Sequence, residues 1–236
     1  MQTEVLADSH AVAEAAAELI AAEARRCAAG RGRFVLAVSG GRTPEAMLRV
    51  LASLAVPWDR VHVFQVDERV APMGDPARNL TQLHECPLAH VPLRPEQVHA
   101  MPVQQADLDA AARSYAAVLC AIAGTPPVLD LVHLGLGVDG HTASLVPGDP
   151  SLEVLEAEVT TAGPYQGRRR MTLAFPALDR ARRVLWVVTG AEKAPMLRRL
   201  QAGDRTIPAG MVQQDRAMLI ADRAAALRFS TEQSAP

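Results

Sequence analysis

Five short apolar runs punctuate the chain, at residues 34–38, 61–66, 129–134, 184–188 and 218–221. Each has the length of a strand and lacks a regular in–out alternation, the pattern of strands buried on both faces of a parallel sheet. Helical stretches separate them. Residues 9–26 are dominated by alanine, with Val12, Leu19 and Ile20 broken by Glu14, Glu18 and Glu23, and predict a surface helix that opens the domain. Residues 45–54 and 106–123 repeat the helical pattern, the second ending at Gly124-Thr125-Pro126-Pro127, and Gly190-Ala191-Glu192-Lys193 begins a fourth helix that runs to about residue 200. Residues 71–102 are rich in Pro, His and polar side chains and predict loops around a short helix at 79–85. Residues 152–161 and 170–175 read as short strands flanking a polar turn at 163–167, a hairpin or sheet edge. A short helix at 208–210, the strand 218–221 and a frayed polar tail complete the chain. Strands alternating with helices imply an α/β protein with a doubly wound, mostly parallel sheet and helices on both faces. No internal repeat or linker divides residues 1–236, which form a single domain.

Composition narrows the functional classes. The chain is 49% hydrophobic, enough for a sizeable core, while its net charge of −2 offers no basic field for nucleic acid. An aromatic content of 3% leaves few stacking platforms for single strands. No run reaches the roughly 18 apolar residues that span a bilayer, and no basic, then apolar leader opens the chain, so neither membrane nor export is expected. Cys27, Cys86 and Cys120 are scattered without a C-x-x-C pair, which suits a reduced cytoplasm better than a disulfide framework or zinc site. His62, His84, His90 and His99 lack ligand spacing and read as surface or structural residues.

The candidate chemistry lies where the apolar runs stop. After residues 129–134, Gly135, Gly137 and Gly140 let the backbone turn and approach a ligand closely, and Asp139 and His141 sit in that loop. The same G-x-G-x-x-G spacing matches a dinucleotide fingerprint, but that motif belongs early in a βαβ unit and expects an acid at the tip of the next strand. Residues 153–158 lie at the right distance in no firm strand pattern, so no nucleotide cofactor is expected. A plain tight turn is the other alternative. After residues 34–38 comes Ser39-Gly40-Gly41-Arg42-Thr43-Pro44, with Thr43 placed as N-cap and Pro44 as first helical residue, a point where free N–H groups and the helix dipole attract phosphate. Arg42 favours an anion there over an ordinary turn. Asp67-Glu68-Arg69 follows the second run, 61–66, and reads either as part of the same rim or as a solvated turn. Lys193 opposes the dipole of its own helix, which an anionic ligand would explain. A parallel sheet brings these loops to one rim, where Arg42, Arg69, Arg170 and Lys193 are the cations and Asp67, Asp139 and His141 the acid–base candidates. The residues therefore predict an enzyme acting on a small phosphorylated metabolite.

The ordered series Ser39-Gly40-Gly41-x-Thr43-Pro44, Asp67-Glu68-Arg69, Asn79, Gly135-x-Gly137-x-Asp139-Gly140-His141-Thr142-Ala143-Ser144-Leu145, Arg170-x-Thr172 and Gly190-x-x-Lys193 resembles the 6-phosphogluconolactonases through nearly the whole chain. The resemblance implies hydrolysis of 6-phospho-D-glucono-1,5-lactone, no metal or other cofactor, and the fold of the glucosamine-6-phosphate deaminase and ribose-5-phosphate isomerase group. Its usual pattern differs at Arg42 and Arg78, where Ser is frequent, and at Val146, where Phe is frequent. The related deaminases place a Glu five residues after the His, where this chain has Val146, and tend to an aromatic residue at the position of Arg69. A sugar-phosphate-binding regulator on the same fold is a further alternative, one that would need no acid–base pair. On the lactonase reading, His141 is the general base toward water, Asp67 or Asp139 orients it, and Gly137 and Gly140 face the oxyanion. The N–H groups of residues 40–43 hold the phosphate with Arg170 and Lys193, and Arg69 reaches the phosphate or the sugar. Ser39 and Ser144 lie in no nucleophile elbow. The expected partner is a phosphosugar lactone, the expected assembly a monomer or small homo-oligomer.

Overall fold

The computed structural model describes residues 1–85 and 90–226; Cys86 and the polar tail beyond Ala226 lie outside them. In chain order the elements are β1 (Gln2–Leu6), α1 (Ser9–Arg31), β2 (Phe34–Val38), α2 (Arg42–Ser53), β3 (Val61–Gln65), β4 (Asp67–Arg69), α3 (Asn79–Glu85), β5 (Val98–His99) and α4 (Leu108–Ala123). They continue with β6 (Leu131–Leu134), β7 (Val159–Tyr165), β8 (Arg168–Leu173), α5 (Phe175–Asp179), β9 (Val184–Val188), α6 (Ala194–Gln201), α7 (Pro208–Met211), β10 (Ala217–Asp222) and α8 (Arg223–Ala226). Seven strands form one sheet in the order β1-β10-β9-β6-β2-β3-β5, with every pair parallel. The doubly wound arrangement follows from the sequence pattern. Phe34, Leu36 and Val38 pack on one face with Ile20, Met47 and Leu51, while Val35 and Ala37 pack on the other with Tyr115, Leu119 and Trp186. Strand β2 thus feeds two cores and has no polar face to show.

Several expectations need correction. The chain opens on a strand, not on its first helix: β1 pairs with β10 at the sheet edge, and its exposed Gln2, Thr3 and Glu4 conceal it from any search for apolar runs. The helix that follows is only half a surface helix, because Val12, Ala13, Ala16, Ala17, Ile20, Ala21 and Ala24 are buried; small alanines let it approach the sheet closely. Asp67-Glu68-Arg69 is neither a solvated turn nor a loop of the large sheet. It forms β4, which enters a second sheet, β4-β8-β7, antiparallel throughout. The anticipated hairpin is the rest of that sheet, with its turn tightened to Gln166 and Gly167 at φ of 52° and 76°; residues 150–153 form a 3-10 turn, not the start of its first strand.

Two histidines are locked inside this frame. His133 on β6 is fully buried, and its Nδ1 accepts the Ser39 N–H at 3.4 Å. His99 on β5 stacks on Phe64 at 4.2 Å and meets His62, Nδ1 to Nε2, at 3.1 Å. Burial pushes each pKa down from 6.5 to about 4. Both are therefore neutral in the fold at a pH where the unfolded chain takes up protons. Between pH 6.5 and about 4 the unfolded state binds more protons, so stability falls as the pH falls, and below that window these groups cost nothing further. Thermal unfolding followed across pH 4–8 should show a midpoint that drops below pH 6.5, and His133→Gln should flatten that slope. An unchanged slope in the variant would assign the acid sensitivity elsewhere.

Candidate active site

Parallel pairing brings the carboxyl ends of β9, β6 and β2 side by side, and the loops that leave them enclose a cleft of about 700 Å³. Gly40, Gly41, Arg42 and Thr43 form one wall, Gly135 and Leu136 the middle, and Gly190 and Lys193 the other wall. A hollow of about 440 Å³ beside Arg180, Arg182 and Arg216 contains none of the candidate residues.

The first wall differs from expectation in its cap. Helix α2 begins at Arg42, with Gly41 as its N-cap at φ 122° and no capping side chain, so Thr43 lies inside the helix and Pro44 in its first turn. The Thr43 hydroxyl pairs instead with Thr189 Oγ1 at 2.9 Å, joining the two walls. With no side chain over them, the first-turn N–H groups and the positive helix end are left for an anion. Not every predicted cradle residue joins in. Ser39 is buried, its hydroxyl donating to the His133 carbonyl at 3.1 Å, and the Gly41 N–H is taken by Gln82 Oε1 at 3.1 Å. Gly40 is required for closeness: a Cβ there would stand 1.9 Å from Asn79 Oδ1.

From Gly135 the middle loop turns away to the acid–base pair. His141 Nδ1 lies 2.5 Å from Asp139 Oδ1, which also accepts the His141 backbone N–H at 3.1 Å. Burial pushes the Asp139 pKa up, but the His141 N–H, charge and ring bond outweigh it and hold the carboxyl below its ordinary range. An ionised carboxylate only accepts hydrogen bonds. Nδ1 therefore carries the proton, and in the neutral ring the lone pair is on Nε2. Of the two candidate carboxylates, Asp139 contacts His141, while buried Asp67 accepts from Ser144 Oγ at 2.6 Å and Asn79 Nδ2 at 3.1 Å. The expected oxyanion donors are also spent inside the loop, the Gly137 N–H on the His141 carbonyl at 2.8 Å and the Gly140 N–H on the Gly137 carbonyl at 3.1 Å.

Arg69 and Arg170 are paired across β4 and β8. Neither lines the cleft, and the Nε of each is buried without a partner. Arg69 donates to the Ala77 carbonyl at 2.6 Å, and Arg170 to the Tyr165 carbonyl at 3.2 Å. Arg78 is also turned inward, onto Glu68 at 3.3 Å. Among the described residues, no three His, Cys, Asp or Glu side chains group as metal ligands, and no helix is long and apolar enough to cross a membrane.

The sequence profile of the family described as glucosamine-6-phosphate isomerases/6-phosphogluconolactonase matches residues 7–221. The chain belongs to that family. A 6-phosphogluconolactonase of Synechocystis is 35% identical over 219 residues, 90% of this chain and 91% of its own length. One of Mycobacterium tuberculosis is 35% identical over 242 aligned positions, 96% of this chain and 97% of its own. The crystal structure of 6-phosphogluconolactonase from Thermotoga maritima superposes with a TM-score of 0.83 at 25% identity, covering 94% of this chain and 98% of that one.

Two residues around the candidate site have no clear signal in the sequence. Asp222, at the end of β10, accepts the Gly190 N–H at 3.1 Å and the Ala225 N–H at 2.7 Å, fixing the Lys193 loop; an acid ending a buried strand was its only signal. Tyr165 reaches Asp139 Oδ2 at 3.1 Å from the hairpin tip, and nothing local marked it beyond the scarcity of tyrosine, of which the chain has 2. Gly137 generates a prediction of its own. A Cβ there would stand 2.1 Å from His141 Nδ1 and 2.5 Å from Asp139 Oδ1, so the pair must separate. In Gly137→Ala the downfield proton resonance of Nδ1–H should vanish while the thermal midpoint stays within a few degrees; a retained resonance would contradict the packing described.

Proposed function

We propose that the protein is a 6-phosphogluconolactonase, hydrolysing 6-phospho-D-glucono-1,5-lactone to 6-phospho-D-gluconate, the second step of the oxidative pentose phosphate pathway. The observation that carries this reading is the Asp139–His141 pair, on the loop that leaves the cleft at Gly135 and Leu136, a cleft also lined by an uncapped helix end and Lys193, in a chain 35% identical along most of its length to proteins of that name. The phosphate is held by the open N–H groups at the start of α2 and by Lys193, which keeps the lactone carbonyl within reach of a water on Nε2. His141 takes a proton from that water as its oxygen bonds to the carbonyl carbon. The tetrahedral oxyanion collapses, the ring C–O bond breaks, and the leaving ring oxygen receives the proton as a hydroxyl. Asp139 holds the imidazolium that forms between these steps. Arg69, whose Nε is buried without a partner, is the side-chain candidate for the oxyanion or the sugar, since the N–H groups of Gly137 and Gly140 are taken within their own loop. General-base catalysis contributes about 10²–10⁴ in rate.

The deaminase chemistry also found in the family is disfavoured at Val146, where its pattern requires a carboxylate. We place the reaction in the cytoplasm, on a monomer or small homo-oligomer, in keeping with free Cys27 and Cys120. The test is hydrolysis of 6-phosphogluconolactone generated in situ, measured against its spontaneous decay. His141→Ala should lower kcat by at least about a hundredfold with little change in KM, and Lys193→Ala should chiefly raise KM. A wild-type rate equal to background would refute the lactonase; ammonia release from glucosamine 6-phosphate would then be measured.

A further inference from the structure

The residue that touches both members of the acid–base pair is neither of the two arginines but Tyr165. It is the last residue of β7, half-buried at the tip of the hairpin. Its hydroxyl donates to Asp139 Oδ2 at 3.1 Å, on the opposite side of the carboxylate from His141. Its ring meets the imidazole edge-on, with centroids 5.2 Å apart and planes at 63°. On its other face the Arg170 guanidinium carbon lies 5.0 Å from the ring centroid, and Arg170 Nη2 donates to the Tyr165 carbonyl. Tyrosine is thus clamped between a buried cation and the pair. A two-residue turn with both residues at positive φ gives the hairpin tip one backbone course, so the ring is presented from a rigid element.

We propose that Tyr165 is a positioning residue for catalysis: through Asp139 it fixes the rotamer and proton of His141. The inference rests on the reading of His141 as general base. Asp139 rotates about its Cβ–Cγ bond at little cost, and a carboxylate bonded only through Oδ1 would leave the imidazole free to swing with it. The hydroxyl pins Oδ2, Oδ1 then faces Nδ1, and the ring edge limits imidazole rotation. Burial and the neighbouring Asp139 charge raise the Tyr165 pKa, so the hydroxyl stays protonated and remains the donor. Arg170 acts here through Tyr165. Its nearly complete burial and its absence from the cleft wall fit that task better than a phosphate contact.

Tyr165→Phe removes the hydroxyl and keeps the ring. It should lower kcat about tenfold, or about 1.4 kcal/mol of barrier, with KM changed less than about twofold. The groups that bear on Asp139 are His141, Tyr165 and, behind the tyrosine, Arg170. Loss of one donor leaves more carboxylate charge for the imidazolium, so the acid limb of the kcat/KM profile should move to higher pH. In Asp139→Asn the second substitution Tyr165→Phe should cost nothing further, because the hydroxyl acts through that carboxylate. Nitrogen NMR of His141 should show the Nδ1–H form in the wild type and a mixture of tautomers in Tyr165→Phe. Wild-type kcat and acid limb in Tyr165→Phe, additive losses in the double variant, or an Nε2–H tautomer in the wild type would each overturn the proposal. His141→Ala, assayed alongside, separates the two readings. If it keeps its rate the general base is wrong; if it collapses while Tyr165→Phe is silent, only the positioning role falls.

Discussion

A sheet buried on both faces can be left only at its ends, and that constraint sets the rest of this molecule. All seven strands of the large sheet run in parallel, so the loops bearing Gly40, Gly137 and Lys193 emerge at one edge with no choice of side. Burial of side chains such as Phe34 and Trp186, each contributing about 1.5–3 kcal/mol, holds the sheet but does not reach those loops. They are glycine-rich and polar, and ordering each residue costs about 1–2 kcal/mol of backbone entropy. Their order must come from hydrogen bonds made at the rim itself.

Asp222 fixes the Lys193 loop, and two further buried carboxylates tie together the segments around the other loops. Glu68, fully buried, accepts the N–H groups of Arg69, Asn79 and Leu80 at 2.8–2.9 Å, the Gln65 amide at 3.0 Å and Arg78 at 3.3 Å. It thereby joins the end of β3, the second sheet and the start of α3 at one point. Asp67 does the same for the middle loop through Ser144 and for α3 through Asn79. A buried charge stripped of its partner costs about 3–5 kcal/mol, which makes these nodes structural whatever chemistry surrounds them. Their position explains why Arg78 departs from a small residue without disturbing the cleft: its guanidinium is absorbed by Glu68.

The parallel strands, the helices between them and the glycine loops were legible because each has a local cause in burial on two faces or in a turn after a strand. Asp139 and His141, two residues apart, were legible together for the same reason. What the sequence concealed was set by distance along the chain. Asp67 and Asp139 looked equivalent until Ser144 and Asn79 claimed the first. The loop amides looked available until Gly137 and Gly140 closed on their own loop. Edge strand β1 is polar and needs its partner β10 to be a strand at all, and Tyr165 reaches Asp139 across 26 residues of chain.

The family joins two chemistries on one fold, so the architecture alone does not choose between them; the side chains at the rim do. Opening a sugar ring and moving a proton between carbons calls for an additional acid–base group. A lactone is already an activated ester, and water attack on it requires only one base with a held proton and a cation near the developing oxyanion. On the proposed reading Asp139 and His141 supply the first. At position 146 the chain spends an aliphatic side chain where the deaminase pattern puts a carboxylate. His141 itself meets Asp139 through Nδ1, and the proposed mechanism uses the other ring nitrogen, Nε2, toward water.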